Sequence, residues 1–223
     1  MLDYGCLAAG ELMVSIDICM PVWKAPLAID VVRSIASLLK MKEFDVNLII
    51  AHGFQTAEAR NNLVEQSKAD YLFFQDSDVV VTPEDLLKLY NHQKDIVSGI
   101  YFGKAMPYNP IIYKAIPQTS GYAFVQNVEK GLIEIDGCGF GCCLVKKEVF
   151  KEIRTPYFEF NTIGNCSTED FDFCRKAKRL GFKIWADWDI QLKHIGDYGF
   201  SITDWRRMKN SQDNIKAGIV CRP

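Results

Sequence analysis

The stretch YLFFQDSDVVVTPEDL, residues 71–86, joins a short apolar run to two acids that are separated by one residue. The five letters YLFFQ suit a buried strand, and such a strand has no structural need for Asp76 and Asp78. Thr82 and Pro83 then predict a helix, because Thr caps helices and Pro suits their first turn. The stretch therefore predicts a strand, an acidic turn and a helix in succession.

Strand-like and helix-like patterns alternate around this stretch. Strands separated by helices of this length favour parallel pairing through right-handed crossovers. Ligands of such sheets bind beyond the carboxyl ends of the strands, where Asp76 and Asp78 are predicted to lie. The flanking predictions are strands over 13–20, 45–52 and 95–102 and helices over 26–40 and 56–68, the last with Thr56 as a candidate cap.

The composition limits the class of protein. The 223 residues are 48% hydrophobic, which is enough for one sizeable core. The net charge is −2 with acids and bases interspersed, so we expect no nucleic-acid partner. The sequence contains no run of 18 apolar residues, so we expect no transmembrane segment. Residues 1–12 lack the pattern of a secretory signal, so we expect none. The eight cysteines contain no C-x-x-C pair and are interpreted as free thiols, so we expect a cytoplasmic protein, either free or peripheral to a membrane.

The second half of the chain has a different pattern. Residues 105–150 are rich in Gly, Pro and short apolar runs, which predicts an irregular, partly antiparallel region. Gly137, Gly139 and Gly141 either let the backbone approach a ligand or form a bulged turn. We expect one catalytic domain over 13–200, with a nucleotide half (13–104) and an acceptor half (105–200), a leader of unknown role over 1–12 and a C-terminal tail over 201–223.

A second acidic site is predicted at the start of a later helix that runs to residue 180. Ser167 is a candidate N-cap, and Gly181 suits the C-terminal turn. Helical spacing places Asp170 on the apolar face, so its side chain is expected to face the core or a cleft. Asp172 falls on the basic face and is expected to face water as an i,i+4 partner of Lys176. A cap, a buried ion pair or chemistry would each explain Asp170.

The D-x-D acids are candidate ligands of one hard cation such as Mg²⁺. The alternative is a turn in which Asp76 and Asp78 bond to local backbone amides. His194 ends a strand-like segment beside Gly196 and is a candidate third ligand, with a satisfied structural histidine as the alternative.

These motifs together resemble the family 2-like branch of the GT-A glycosyltransferases. The resemblance covers about residues 13–200 and implies an α/β, Rossmann-like fold. Its central sheet is expected to be mostly parallel and flanked by helices, with a smaller, partly antiparallel acceptor-side region. The motifs that carry it are an apolar strand running into PVW (21–23), ARN (59–61), YLFFQDSD (71–78), TED (168–170) and KHIG (193–196).

The resemblance implies a hexosyltransferase that uses a UDP- or GDP-linked sugar, Mn²⁺ or Mg²⁺, and a hydroxyl on a glycan or other acceptor. Asp170 is the implied base of an inverting reaction, with Glu169 beside it. A late metal-binding histidine is also frequent in retaining members, so retention stays an alternative. The implied metal ligands are Asp76, Asp78 and His194, and the implied donor contacts are Pro21, Val22, Trp23, Arg60, Asp76, Ser77 and Asp78.

Some of these residues have structural alternatives. Arg60 is expected near the phosphates or on an acid of the D-x-D pair, with a surface position as the alternative. Trp23 is expected at the nucleobase, with a core position as the alternative. The loop after the second strand reads HGFQ (52–55) and lacks the acid with which family members often bind the base.

Two other functions remain open from the sequence. In a haloacid-dehalogenase-like phosphotransferase, Asp76 of DSDVV would be the nucleophile and Mg²⁺ would assist. That motif normally opens its domain, whereas two strand–helix units precede it here. A sugar- or nucleotide-binding module without turnover would keep the fold and lose the base.

Overall fold

The computed structural model describes residues 13–23, 27–119, 121–126, 130–161, 168–196 and 199–216. For residues 211–216 it describes the backbone alone. The helices are α1 (Ile29–Leu38), α2 (Thr56–Gln66), α3 (Pro83–Asn91), α4 (Lys147–Glu152), α5 (Glu169–Arg179) and α6 (Ile202–Lys216). The strands of the first half are β1 (Ser15–Val22), β2 (Asp45–His52), β3 (Tyr71–Gln75), β4 (Val79–Val80) and β5 (Ile96–Ile100). The later strands are β6 (Ile112–Ala115), β7 (Tyr122–Phe124), β8 (Leu132–Ile135), β9 (Gly137–Cys138), β10 (Cys142–Lys146), β11 (Ile184–Gln191), β12 (Lys193–Ile195) and β13 (Gly199–Phe200).

A seven-stranded sheet forms the centre, in the order β2-β1-β3-β10-β5-β11-β8. Strands β1, β2, β3, β5 and β11 run in one direction, and β10 and β8 run against them. The mostly parallel α/β sheet predicted from the sequence is therefore confirmed. The sequence did not predict that β10, from the second half of the chain, separates β3 from β5.

Both faces of the central strands are buried, which explains the continuous apolar run in β3. Phe73 packs into the cluster that contains Leu86 and Leu89 of α3. Phe74 packs on the opposite face, with Leu63 of α2 among its cluster. A strand covered on both sides needs apolar residues at every position, because neither face of the sheet is solvated.

The local signals in the first half mostly agree with the structure. The predicted strands 45–52 and 71–75 are confirmed as β2 and β3. Thr82 caps α3 in a reciprocal pair with Asp85. Thr56 does not cap α2: it is the first helical residue, and Gln55 precedes it without a side-chain cap. The candidate cap Ser167 lies outside the described residues.

The region over residues 105–150 is irregular and partly antiparallel, as predicted. Strands β7, β6 and β9 form one small sheet, and β13, β12 and β4 form another. Glycine at 139 and 141 serves the packing of Tyr101, since a Cβ at either position would overlap its ring or hydroxyl. The bonds between β12 and β4 bring His194 opposite Val79, directly beside the D-x-D turn.

The segment from residue 201 begins with helix α6. Its Trp205 is buried and lies 5.9 Å, between ring centroids, from both Trp188 and Phe102. None of the helices in the described part of the chain has the length and apolar character needed to cross a membrane. Free thiols are confirmed at five buried positions, which are Cys19, Cys138, Cys142, Cys143 and Cys174.

Candidate active site

The D-x-D turn lies between β3 and β4, and backbone bonds from the second half of the chain hold it. The Asp76 amide donates to the carbonyl of Gly141 at 3.2 Å, and the Ile195 amide donates to the carbonyl of Asp78 at 2.7 Å. The two carboxylates are engaged by cationic side chains from other elements. The alternative, in which both carboxylates only bond to local amides, does not describe this turn.

Arg60 of α2 connects the two acidic sites. Its Nη2 donates to Asp76 Oδ1 at 3.0 Å, and its Nη1 donates to both Glu169 and Asp170 at the start of α5. Only 2% of the side chain is exposed, so the surface alternative for Arg60 is wrong. The guanidinium therefore joins a turn and a helix that are almost a hundred residues apart in the sequence.

The Arg60 cluster holds one cation among three carboxylates. Burial lowers the pKa of Arg60, but Asp170, Asp76 and Glu169 raise it by more, so the guanidinium stays charged. Burial also raises the pKa of Asp170. The charge of Arg60 opposes that rise, while Glu169 and Asp76 add to it. Asp170 is thus a carboxyl group that binds a proton more readily than an ordinary aspartate.

Asp78 lies in a different charge environment. Lys104 Nζ is 2.6 Å from its Oδ2, and His194 Nε2 is 3.3 Å from its Oδ1. Burial opposes ionisation of Asp78, but the bonds from His194 and Lys104 outweigh it and lower its pKa. The Asp78 carboxylate is therefore held in its charged form.

The tautomer of His194 follows from its second contact. Its Nδ1 lies 2.8 Å from the carbonyl oxygen of Phe102, which can only accept a hydrogen bond, so Nδ1 carries a proton. In neutral His194 the lone pair is then on Nε2, which faces Asp78, whereas in the imidazolium the Nε2–H donates to the Asp78 carboxylate. A backbone partner on one ring nitrogen is the usual way in which proteins orient a metal-binding histidine.

The three predicted metal ligands, Asp76, Asp78 and His194, are only partly arranged to bind a divalent cation. Two ligands about 2.1 Å from an octahedral cation and at right angles to each other lie about 3 Å apart. The 3.3 Å between Asp78 Oδ1 and His194 Nε2 agrees with that spacing. Asp76 is bonded to Arg60 instead. Among the described residues, no group of three or more His, Cys, Asp or Glu side chains is arranged so that it could hold a metal ion.

A cleft of about 170 Å³ lies in front of the turn. Trp23 is 47% exposed, so the core alternative for this residue is wrong. Arg60 is buried and is not among the residues that line the cleft. The lining residues are Pro21, Val22, Trp23, Phe54, Thr56, Asp76, Ser77 and Asp78.

Sequence reasoning missed three residues at this site: Phe54, Thr56 and Lys104. Phe54 and Thr56 follow the carboxyl end of β2, and that position was a usable signal in a sheet of this kind. Lys104 gave no local signal, because its contact with Asp78 depends on the path of the loop after β5.

Helix α5 corrects the prediction for Asp172. Only 1% of this side chain is exposed, although the basic face was expected to face water. Lys176 pairs with it at 2.6 Å, as predicted, and Arg175 also pairs with it at 2.6 Å. Asn161 donates a further bond at 3.2 Å, because residues 156–161 lie over this face.

Known proteins resemble the chain in sequence and in fold. Residues 29–154 match the family described as glycosyl transferase family 2. The crystal structure of A197 from STIV superposes with a TM-score of 0.62 at 20% identity, over 86% of this chain and 92% of that one. The crystal structure of GalNAc-T7 with UDP, GalNAc and Mn²⁺ superposes with a TM-score of 0.55 at 12% identity, over 90% of this chain and 48% of that one. Among the curated proteins there is no match.

Proposed function

The chain belongs to glycosyl transferase family 2 and has the GT-A fold, and we propose that it transfers a hexose from a nucleoside-diphosphate sugar to an acceptor hydroxyl. The reaction requires Mn²⁺ or Mg²⁺ and inverts the anomeric centre. The donor is UDP- or GDP-linked, and the acceptor is a glycan or another hydroxyl-bearing molecule. The buried free thiols are compatible with action in the reducing cytoplasm.

One observation carries the proposal: Arg60 bonds Asp76 of the D-x-D turn and Asp170 of α5 at the same time. A sugar transferase needs a group that binds the donor diphosphate and a base for the acceptor hydroxyl on the two sides of one reacting carbon. The shared guanidinium holds candidates for these two groups at a fixed separation. Such positioning lowers the entropy lost on reaching the transition state.

The charges at the site support the need for a divalent cation. Four carboxylates face two permanent cations, which are Arg60 and Lys104. A diphosphate would add negative charge to a site that already has an excess of it, and a divalent cation reverses that balance. Asp78 and His194 would hold the cation, with Asp76 as the third predicted ligand. When bound, such a cation stabilises the negative charge of the departing diphosphate.

The residues of the cleft suit the nucleoside part of the donor. Trp23 and Phe54 present aromatic surface at the cleft, and both are partly exposed. An aromatic ring can stack on a nucleobase, which has two flat faces. Pro21 and Val22 also line the cleft and would supply an apolar wall, and Ser77 and Asp78 would contact the diphosphate.

Asp170 is the proposed general base. Its raised pKa suits proton removal near neutral pH, because a base works best when its pKa is close to the working pH. Asp170 takes the proton of the acceptor hydroxyl as that oxygen attacks the anomeric carbon from the side opposite the diphosphate. Glu169 holds Arg60 in place and thereby keeps Asp170 oriented.

The sequence alternatives are less well supported. Asp76 would be the phosphotransferase nucleophile, but membership of a glycosyltransferase family argues against that chemistry. If beryllofluoride bound covalently to Asp76, as a stable analogue of a phosphorylated aspartate, this choice would be reversed. A binding module without turnover has no use for a buried carboxyl group with a raised pKa that shares Arg60 with the D-x-D turn.

The test is calorimetric titration of UDP- and GDP-sugars with and without Mn²⁺. We expect the wild type to bind one of them in a Mn²⁺-dependent manner and Asp78→Ala to lose that binding. Asp95→Ala is the matched control, since Asp95 also pairs with a partly exposed lysine, Lys146 at 2.9 Å. Binding by Asp78→Ala that equals the wild type would overturn the donor site.

A further inference from the structure

The loop after β5 places Lys104 at the mouth of the site. Its ammonium lies 2.6 Å from Asp78 Oδ2, and 36% of the side chain is exposed. Its alkyl stem lies against Gly196, where a Cβ would come within 3.3 Å of Lys104 Cδ. The backbone of the loop is bonded to itself, from Gly103 to Asn109 at 2.9 Å and from Tyr108 to Ala105 at 2.8 Å. A flexible lysine thus extends from a closed loop onto a proposed metal ligand.

Lys104 and a divalent cation require the same acceptor. Asp78 has two carboxylate oxygens, of which Oδ1 faces His194 and Oδ2 faces Lys104. A cation that binds Asp78 and His194 brings positive charge to within a few ångströms of the Lys104 ammonium. The two positive charges repel each other at that distance, and the lysine then loses its ion pair.

We propose that Lys104 is a positioning residue that exchanges partners: it neutralises Asp78 in the free protein and binds the donor diphosphate once a divalent cation has taken Asp78. This inference rests on the proposed function, because it uses the same cation and donor. A lysine suits this exchange since its ammonium is a point charge on a stem with several rotatable bonds. The diphosphate then receives charge from the cation and from Lys104 together.

The exchange has a thermodynamic consequence. Lys104 opposes the cation when no donor is present, and it favours the diphosphate when the cation is present. Binding of Mn²⁺ and of a nucleoside diphosphate is therefore positively coupled, and each ligand raises the affinity for the other by the same factor. Lys104 accounts for part of that coupling, so a substitution that removes its ammonium group should weaken the coupling.

The test is calorimetry of the full chain with Mn²⁺ alone and with UDP or GDP at saturating Mn²⁺. In Lys104→Met we expect the affinity for Mn²⁺ alone to rise about threefold to tenfold and the affinity for the diphosphate to fall about tenfold. Methionine keeps an unbranched stem against Gly196, and thermal unfolding checks that the variant is folded. Lys146→Met is the matched control, because it removes a similar Lys–Asp pair far from the cleft, and it should leave both affinities unchanged.

The outcomes separate the two proposals. A wild type that binds neither UDP nor GDP with Mn²⁺ overturns the proposed function. A wild type that binds normally, combined with a folded Lys104→Met that matches it in either affinity, overturns only the role of Lys104. Lys104→Arg provides the converse check: it keeps the positive charge, so the coupling should persist in it.

Discussion

Two aspartates two residues apart in the first turn of α5 show how this molecule treats a structural acid and a proposed catalytic acid. Asp172 is buried and has two cations of its own, Arg175 and Lys176. Asp170 is also largely buried, but it shares Arg60 with two other carboxylates. Burial is common to both acids, and only the charge balance differs. An acid short of positive partners keeps a raised pKa and can act as a base, whereas a fully paired acid only stabilises the fold.

The strongest test of this comparison is the exchange of Asp170 for asparagine. Asp170→Asn should lower turnover by about 10²–10⁴-fold, since asparagine cannot accept the proton of the acceptor. Donor affinity in the presence of Mn²⁺ should stay within about twofold, because Arg60 still holds Asp76 and Glu169. Steady-state kinetics and calorimetry on one preparation measure both quantities. Turnover close to that of the wild type would remove the assignment of Asp170 as the base.

The same exchange two residues later gives the matched control and the second test. Asp172→Asn leaves Arg175 and Lys176 facing a neutral group, so the free energy of unfolding should fall by about 1–3 kcal/mol. Turnover of the folded protein should be unchanged. Urea unfolding and kinetics check the two expectations. If Asp172→Asn lost as much turnover as Asp170→Asn, charge balance would not distinguish the two acids.

The sequence predicted the fold through features that are local. Apolar runs marked β2 and β3, and the Thr82 cap with Pro83 marked α3, because these elements are determined by short-range periodicity and capping. The place of β10 between β3 and β5 was not predictable in this way. Strand order depends on contacts between distant segments, and a buried strand such as CCLVK has the same pattern in any central position.

The site was predictable as far as its acids were concerned. The positions of Asp76 and Asp170 follow from a strand end and a helix start, which local rules identify. The burial of Asp172 was missed because helical spacing sorts residues into faces but does not reveal what covers each face. Here residues 156–161 cover the basic face, and Lys176 bonds to the carbonyl of Pro156 at 2.7 Å. Lys104 was missed for the same reason, since a loop brings it to Asp78.

The third test concerns the pH dependence of stability, because that dependence reports directly on how far burial and the neighbouring acids raise the pKa of Asp170. Burial, together with Glu169 and Asp76, raises the pKa of Asp170 in the folded protein. Below the ordinary aspartate pKa of about 4, both the folded and the unfolded chain carry the proton. Above it the unfolded chain releases the proton first, so the folded protein loses stability as the pH rises toward the raised pKa.

Asp170→Asn has no proton to release at this position. In metal-free buffer, the stability of the wild type relative to Asp170→Asn should therefore fall by up to about 1.4 kcal/mol per pH unit between about pH 5 and 7. Urea unfolding of both proteins at several pH values measures the difference. A difference that stays constant across this range would mean that Arg60 alone satisfies Asp170. The acid would then be as well paired as Asp172, and the contrast between the two aspartates of α5 would no longer identify the base.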